Sequence, residues 1–290
     1  MIIDAHLHCS GTETTDSVLR SLDEAKVDIG VLLAPFLSHH YRLDDALSLR
    51  EANAHLATLV RGHQDRLFGF AVVNPLLPNA VDDLRHAVEN LGLRGLKMVP
   101  SGWFPYDDCA HRIYEQALAL DLPILFHSGI FVDGRSGRFC RPTFYEAIRE
   151  HPGLRVTLAH LSWPWCDEAN AVGLIDLING VPPDEAAFRF DISFGAPPVY
   201  RHEVLKNALA VLGPALLQFG SDRFFPCGGD AILEKIAEVG ELLDGFDLTS
   251  ADRDRIMYGT AAAWLGIEAG KIFQPPQRHH EQDDLPHTAN

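Results

Sequence analysis

The chain has 290 residues, 47% of them hydrophobic and 22% charged, an ordinary composition for a protein with a large buried core. Its formal net charge of −16 at pH 7 repels long polyanions and argues against nucleic acid as a partner. No apolar run approaches the roughly 20 residues that span a bilayer, and the N-terminus carries neither the basic region nor the long apolar core of a signal peptide, so a cytoplasmic location is expected.

The first predicted element is a strand over residues 2–8, IIDAHLH. Alternate positions share a strand face, so His6 and His8 point to the same side. Burying two unpartnered imidazoles costs on the order of 1–3 kcal/mol each, and a metal ion would satisfy both. Asp4 is expected to face the helices and to hold structure by hydrogen bonds. Further β-rich runs predict strands over 28–34, 67–73, 94–99, 123–128, 155–160, 189–194 and 216–222. Between them lie segments such as YRLDDALSLREANAHLATLVRGH and CAHRIYEQALALD, whose apolar residues recur at three and four, the helical period. Pro35, Pro75 and Pro100 punctuate strand ends.

Eight strand-helix units in about 270 residues predict a (β/α)8 TIM barrel, because parallel strands need crossover helices and eight such units can close. A doubly wound sheet lacks support, since no GxGxxG follows the first strand and no GxxxxGK[ST] occurs. Two more helices follow, in GDAILEKIAEVGELLDG and SADRDRIMYGTAAAWLG. One domain is therefore expected over 1–270, with the polar, proline-rich segment 271–290 outside its core.

Catalytic side chains of such barrels collect at the C-terminal rim. His6 and His8 close the first predicted strand, Lys97 sits late in the fourth, His127 ends the fifth, His160 the sixth and Asp222 the eighth. Neutral imidazoles with one carboxylate suit a divalent transition ion with a position open to water, whose pKa such an ion lowers from about 15.7 toward roughly 7. An uncoordinated imidazole titrates in the working range, which makes His160 the candidate proton carrier.

The set DAHLH, GLKMVP, ILFHSG, TLAHLS and FGSD, in that order, resembles the amidohydrolase superfamily, in particular the amidohydrolase-related group that includes aminocarboxymuconate-semialdehyde decarboxylase. The resemblance covers roughly residues 1–266. It implies one divalent metal, usually zinc, with manganese or iron as alternatives, held by His6, His8, His127 and Asp222. It also implies that His160 is the unligated histidine that activates water or protonates substrate. In two-metal members of the superfamily a lysine at the place of Lys97 is carbamylated and bridges the ions; the single-metal group commonly carries GLK here. The alternative for Lys97 is a free ammonium that binds a substrate carboxylate.

Other residues divide between function and packing. Arg135, Arg138 and Arg141, in the loop GIFVDGRSGRFCRP, suit a substrate carboxylate or pair with local acids. Trp103 and Trp163 wall a pocket or pack loops. His39 and His40 read as loop residues, and the five cysteines, an odd number with no CxxC pair, read as reduced rather than as a disulfide framework or zinc finger. The function expected is a metal-dependent hydrolase that uses a metal-activated water on a small, carboxylate-bearing lactone, amide or ester, with His160 and Asp222 handling protons. The alternatives are non-oxidative decarboxylation of an aromatic or unsaturated acid, and an inactive barrel used as a binding protein. The partner expected is a small-molecule substrate, and the sequence leaves a homodimer open.

Overall fold

A computed structural model describes residues 1–37, 40–193 and 195–267. Strands and helices alternate from the start: β1 (Ile3–His8), α1 (Thr15–Glu24), β2 (Ile29–Leu33), α2 (Ala46–Val60), β3 (Leu67–Val72), α3 (Ala80–Glu89), β4 (Gly95–Met98) and α4 (Asp108–Ala119). After β5 (Ile124–Phe126) a 3-10 segment over Pro142–Glu150 stands where a helix would. Then come β6 (Val156–Leu158), α5 (Cys166–Ile178), β7 (Phe188–Asp191), α6 (Pro198–Leu212), β8 (Leu217–Gln218), β9 (Arg223–Phe224), α7 (Gly229–Asp244), α8 (Ser250–Asp254) and α9 (Thr260–Leu265). His39 and the segment 271–290 lie outside the described residues.

All strand pairs are parallel, in the order β8-β7-β6-β5-β4-β3-β2-β1-β9. Of the strand expected over 216–222 only Leu217–Gln218 is regular, as β8, and β9 follows just beyond its expected end. Between them the chain still bonds to β1, with Ala5 N–H donating to Phe219 O (3.1 Å) and Asp222 N–H to His6 O (2.9 Å), so the sheet closes on itself. Every residue of β1 to β8 is buried, as parallel strands covered by helices require. This is the expected (β/α)8 barrel. Among the described residues no helix is long and apolar enough to cross a membrane.

Two apolar clusters lie between strands and helices, one spanning β4 to β8 and the other β1 to β3. A third joins Ile3, Val31, Leu33, Phe70 and Leu125 to Ala261 and Trp264 of α9. Trp264 is wholly buried, lies 5.1 Å from the Phe70 ring, and donates its indole N–H to Arg155 O just ahead of β6. Thus α9 plugs the end of the barrel where strands begin.

At the other end the backbone departs from regular strand. β1 shifts register between Asp4 and Leu7. β5 and β6 stop at Phe126 and Leu158, so His127 and His160 stand beyond them rather than inside the expected 123–128 and 155–160 strands. His160, Leu161 and Ser162 have φ of 63°, 45° and 56°, and Asp222 has 54°. Left-handed backbone costs a non-glycine residue roughly 1–2 kcal/mol, so these turns need outside support. Ser128 supplies some, its hydroxyl donating to Ala159 O (2.6 Å) and meeting Ser162 Oγ at 2.9 Å.

Candidate metal centre

His6 sits where β1 meets the break between β8 and β9. A Cβ on Gly220 would lie 2.7 Å from that of His6, so only glycine lets the strands approach here. His6 Nδ1 is 2.8 Å from Asp191 Oδ2, both side chains wholly buried. A carboxylate only accepts, so Nδ1 carries the proton and Nε2 keeps a bare lone pair. Around that lone pair stand His8 Nε2 at 3.1 Å, Asp222 Oδ1 at 3.4 Å and Lys97 Nζ at 3.4 Å. His8 Nε2 is in turn 3.1 Å from Asp222 Oδ1.

Burial, with the neighbouring Lys97, pulls the His6 pKa down, and burial takes His8 down to about 3. Both rings are therefore neutral at pH 7. Burial alone would raise Asp222, but the attraction of His6, His160 and His8 outweighs it and holds the carboxyl well below the usual range. Two imidazole nitrogens and a carboxylate oxygen thus converge with at most one proton among them. That donor set fits a divalent cation, and the ligand atoms of His6, His8 and Asp222 all lie within 4.8 Å of one another.

His6, His160 and Asp191 form a second set within 4.8 Å, among the described residues. Hydrogen bonds account for this one: Asp191 Oδ1 accepts from His160 N–H (2.8 Å), and His160 Nδ1 donates to Ser193 O (2.7 Å). Burial alone would raise the Asp191 carboxyl, but its contacts with His6, His160 and Ser193 hold it below the ordinary value.

His127 does not join either cluster. Its Nε2–H donates to Ile130 O (3.1 Å), its ring stacks on Phe131 (4.0 Å), and it lies edge-on to His160 (5.2 Å). The Nδ1 lone pair is left over. Burial, then His160 and Lys97, hold its pKa well below the ordinary imidazole value. Lys97 is wholly buried, and burial lowers its ammonium to about 8 against the pull of Asp191 and Asp222.

Asp4 serves structure, as expected: Oδ1 accepts from the backbone N–H of His6 (3.2 Å) and Ser221 (2.9 Å). Strict alternation would group Asp4 with His6; the shifted register of β1 separates their tasks. The arginines divide. Arg141 pairs with Glu168 (2.7 Å), and Arg138 lies over Phe139. Arg135 pairs with Asp133 (2.5 Å) and lies over Phe131, close enough for its charge to depress Lys97. Trp103 corrects its expected place on a pocket wall: it is 1% exposed, packed in the core between β4 to β8 and their helices. Trp163 is partly buried, 6.4 Å from the Tyr200 ring. All five cysteines are free thiols.

Sequence reasoning missed Asp191 and Ser193, and it marks Phe224 only as one of the aromatics after the strands that wall a pocket or pack loops. Phe224, half exposed, stacks on His8 at 4.3 Å. The signal for the first two was present: Arg189, Asp191 and Ser193 alternate along the predicted seventh strand, on the period that singled out His6 and His8.

The amidohydrolase family profile matches residues 3–267, nearly the whole chain. The chain belongs to the amidohydrolase family. Solved structures share the family's barrel at low identity. The 2,6-dihydroxybenzoate decarboxylase from Rhizobium is 15% identical, with 92% of this chain and 98% of that one covered and a TM-score of 0.65. An amidohydrolase from Burkholderia multivorans with bound zinc is 15% identical, covering 92% and 100%, with a TM-score of 0.64. The 5-carboxyvanillate decarboxylase from Novosphingobium aromaticivorans, complexed with manganese and 4-hydroxy-3-methoxy-5-nitrobenzoic acid, is 12% identical, covering 92% and 96%, with a TM-score of 0.64. No curated protein matches the chain in sequence.

Proposed function

We propose that this amidohydrolase holds one divalent ion, zinc or manganese, through His6, His8 and Asp222, with the Nδ1 lone pair of His127 as fourth ligand, and hydrolyses a small carboxylate-bearing lactone, amide or ester. The observation that carries the proposal is the convergence of two neutral imidazoles and an ionised carboxylate within 4.8 Å. A single ion accords with the second His/Asp set being satisfied by hydrogen bonds.

Bound there, the ion supplies Lewis acidity toward a carbonyl oxygen and acidifies a coordinated water. The chain's residues do the rest. His160, its Nδ1–H committed to Ser193 O, has Nε2 to take a proton and return it to the leaving group. Asp222, held ionised, serves first as an anionic ligand, so proton transfer falls to His160 before it. Lys97 and Arg135 supply positive charge beside the ion for a substrate carboxylate.

The second reading is decarboxylation of an aromatic or unsaturated acid. It is favoured by the rings that flank the centre, Phe224 on His8, Phe36 edge-on to His8 (5.5 Å) and Phe131 on His127, which suit a flat apolar substrate. A panel of lactones, amides, esters and hydroxybenzoate-like acids separates the two. Turnover of a lactone, amide or ester supports hydrolysis, and carbon dioxide release from the acids supports the second reading. His160→Ala is expected to lose about 10²–10⁴-fold in kcat on the compound turned over. Turnover undiminished in His160→Ala contradicts the mechanism.

A further inference from the structure

Asp191 ends β7 with no exposed surface and serves two sides at once. Oδ2 accepts from His6 Nδ1–H at 2.8 Å. Oδ1 accepts the backbone N–H of His160 (2.8 Å), the backbone N–H of Ser193 (3.0 Å), and the Ser193 hydroxyl. The Ser193 carbonyl then takes the Nδ1–H of His160 at 2.7 Å. Each ring is therefore fixed in the tautomer that carries its proton at Nδ1, because a carboxylate and a carbonyl can only accept. His6 Nε2 faces His8 and Asp222, and the His160 ring lies 5.3 Å from that of His6.

We infer that Asp191 and Ser193 are positioning residues which set His6 and His160 together, so that one carboxylate presents both a ligand lone pair and a proton-accepting nitrogen to the same point. The inference rests on the metal-dependent reading above. It explains why His160 tolerates left-handed backbone: its N–H is bonded to the carboxylate that orients His6. It also explains why the site needs an acid here and not an amide. Asparagine offers an acceptor on one side and a donor on the other, so turning its oxygen toward His6 would set its NH2 against three donors.

Tautomers can be read without a substrate. Metal-free protein labelled with ¹⁵N-histidine, held about two pH units above the ordinary imidazole pKa, gives long-range ¹H–¹⁵N spectra that identify the protonated ring nitrogen. His6→Asn and His160→Gln assign the two rings by loss of signal. Wild type is expected to carry the proton at Nδ1 in both. In Asp191→Asn at least one ring should leave that form, and zinc affinity, read by chelator competition, should fall about 10–100-fold. Either ring protonated at Nε2 in wild type, with zinc bound at one per chain, overturns the inference and spares the proposed function. Unchanged tautomers and zinc affinity in a folded Asp191→Asn overturn it as well. Failure to bind zinc or manganese overturns the proposed function and the inference with it. The wild-type spectrum decides the central point even where the variant does not fold.

Discussion

At the end of the barrel where strands begin, Trp264, Phe70, Ile3 and Val31 pack apolar side chains against one another, with Gly95 leaving room for the Phe70 ring, 2.2 Å from where a Cβ would stand. At the end where strands run out, His6, His8, Lys97 and Asp191 are as deeply placed and Asp222 stands beside them partly exposed, but each is polar. Burying the first set is favourable at about 25 cal/mol per Å² of apolar surface; burying the second is costly unless every group finds a partner. The same cylinder therefore stabilises itself at one end and holds a strained polar cluster at the other. The floor should govern stability and the mouth should govern metal binding, with little crossover.

The largest expected break in that division is Trp264→Ala. Removing a wholly buried indole should cost about 3–5 kcal/mol of stability in a denaturant melt, while metal per folded chain stays at the wild-type level. Asp222→Ala should show the reverse, losing stoichiometric metal on dialysis with a smaller change in the melt, because the side chain is short, partly exposed and outside the apolar core.

Glu13 sharpens the comparison, as a polar group at the mouth side that stabilises. Its carboxylate accepts from Ser10 N–H (3.0 Å), Gly11 N–H (3.2 Å) and His55 Nε2 (3.1 Å). Burial works against the charge, yet these bonds outweigh it and hold the pKa at about 2, below the ordinary 4.5. A depressed folded-state value gives stability that is full above pH 4.5 and lost as pH falls toward 2. Glu13→Gln should therefore lower Tm at pH 7, and the gap from wild type should narrow between those limits; a gap independent of pH would contradict the assignment. The smallest effect is expected from Arg138→Ala, which removes only a stack over Phe139 and should change stability by less than about 0.5 kcal/mol.

Much of this was legible in the sequence for physical reasons. Strand periodicity and β-branched runs marked all eight strands, and histidines at strand ends stood out because burying them is costly. The exact stopping points were not legible: β5 and β6 end early, at Phe126 and Leu158, because tertiary bonds to Asp191, Ser128 and Ile130 pull the chain into turns that local propensity does not encode. His127 shows the same limit. Its place in the sequence marks it as a ligand candidate, but the Ile130 carbonyl takes its Nε2 and leaves only Nδ1 for that task, a choice that spacing cannot foresee. Asp191 is readable by its alternation with Arg189 and Ser193 along the predicted seventh strand. The arginine loop offered three equal candidates, and only packing distinguishes Arg135, paired with Asp133 but near enough for its charge to reach Lys97, from Arg141, held by Glu168.

The most direct test of the central claim is elemental analysis of the full chain purified without chelator and dialysed. One zinc or manganese per wild-type chain, lost in His8→Ala and in Asp222→Ala but kept in His160→Ala, is the result predicted. Wild type without a stoichiometric divalent ion, or the same metal content in all three variants, would contradict it.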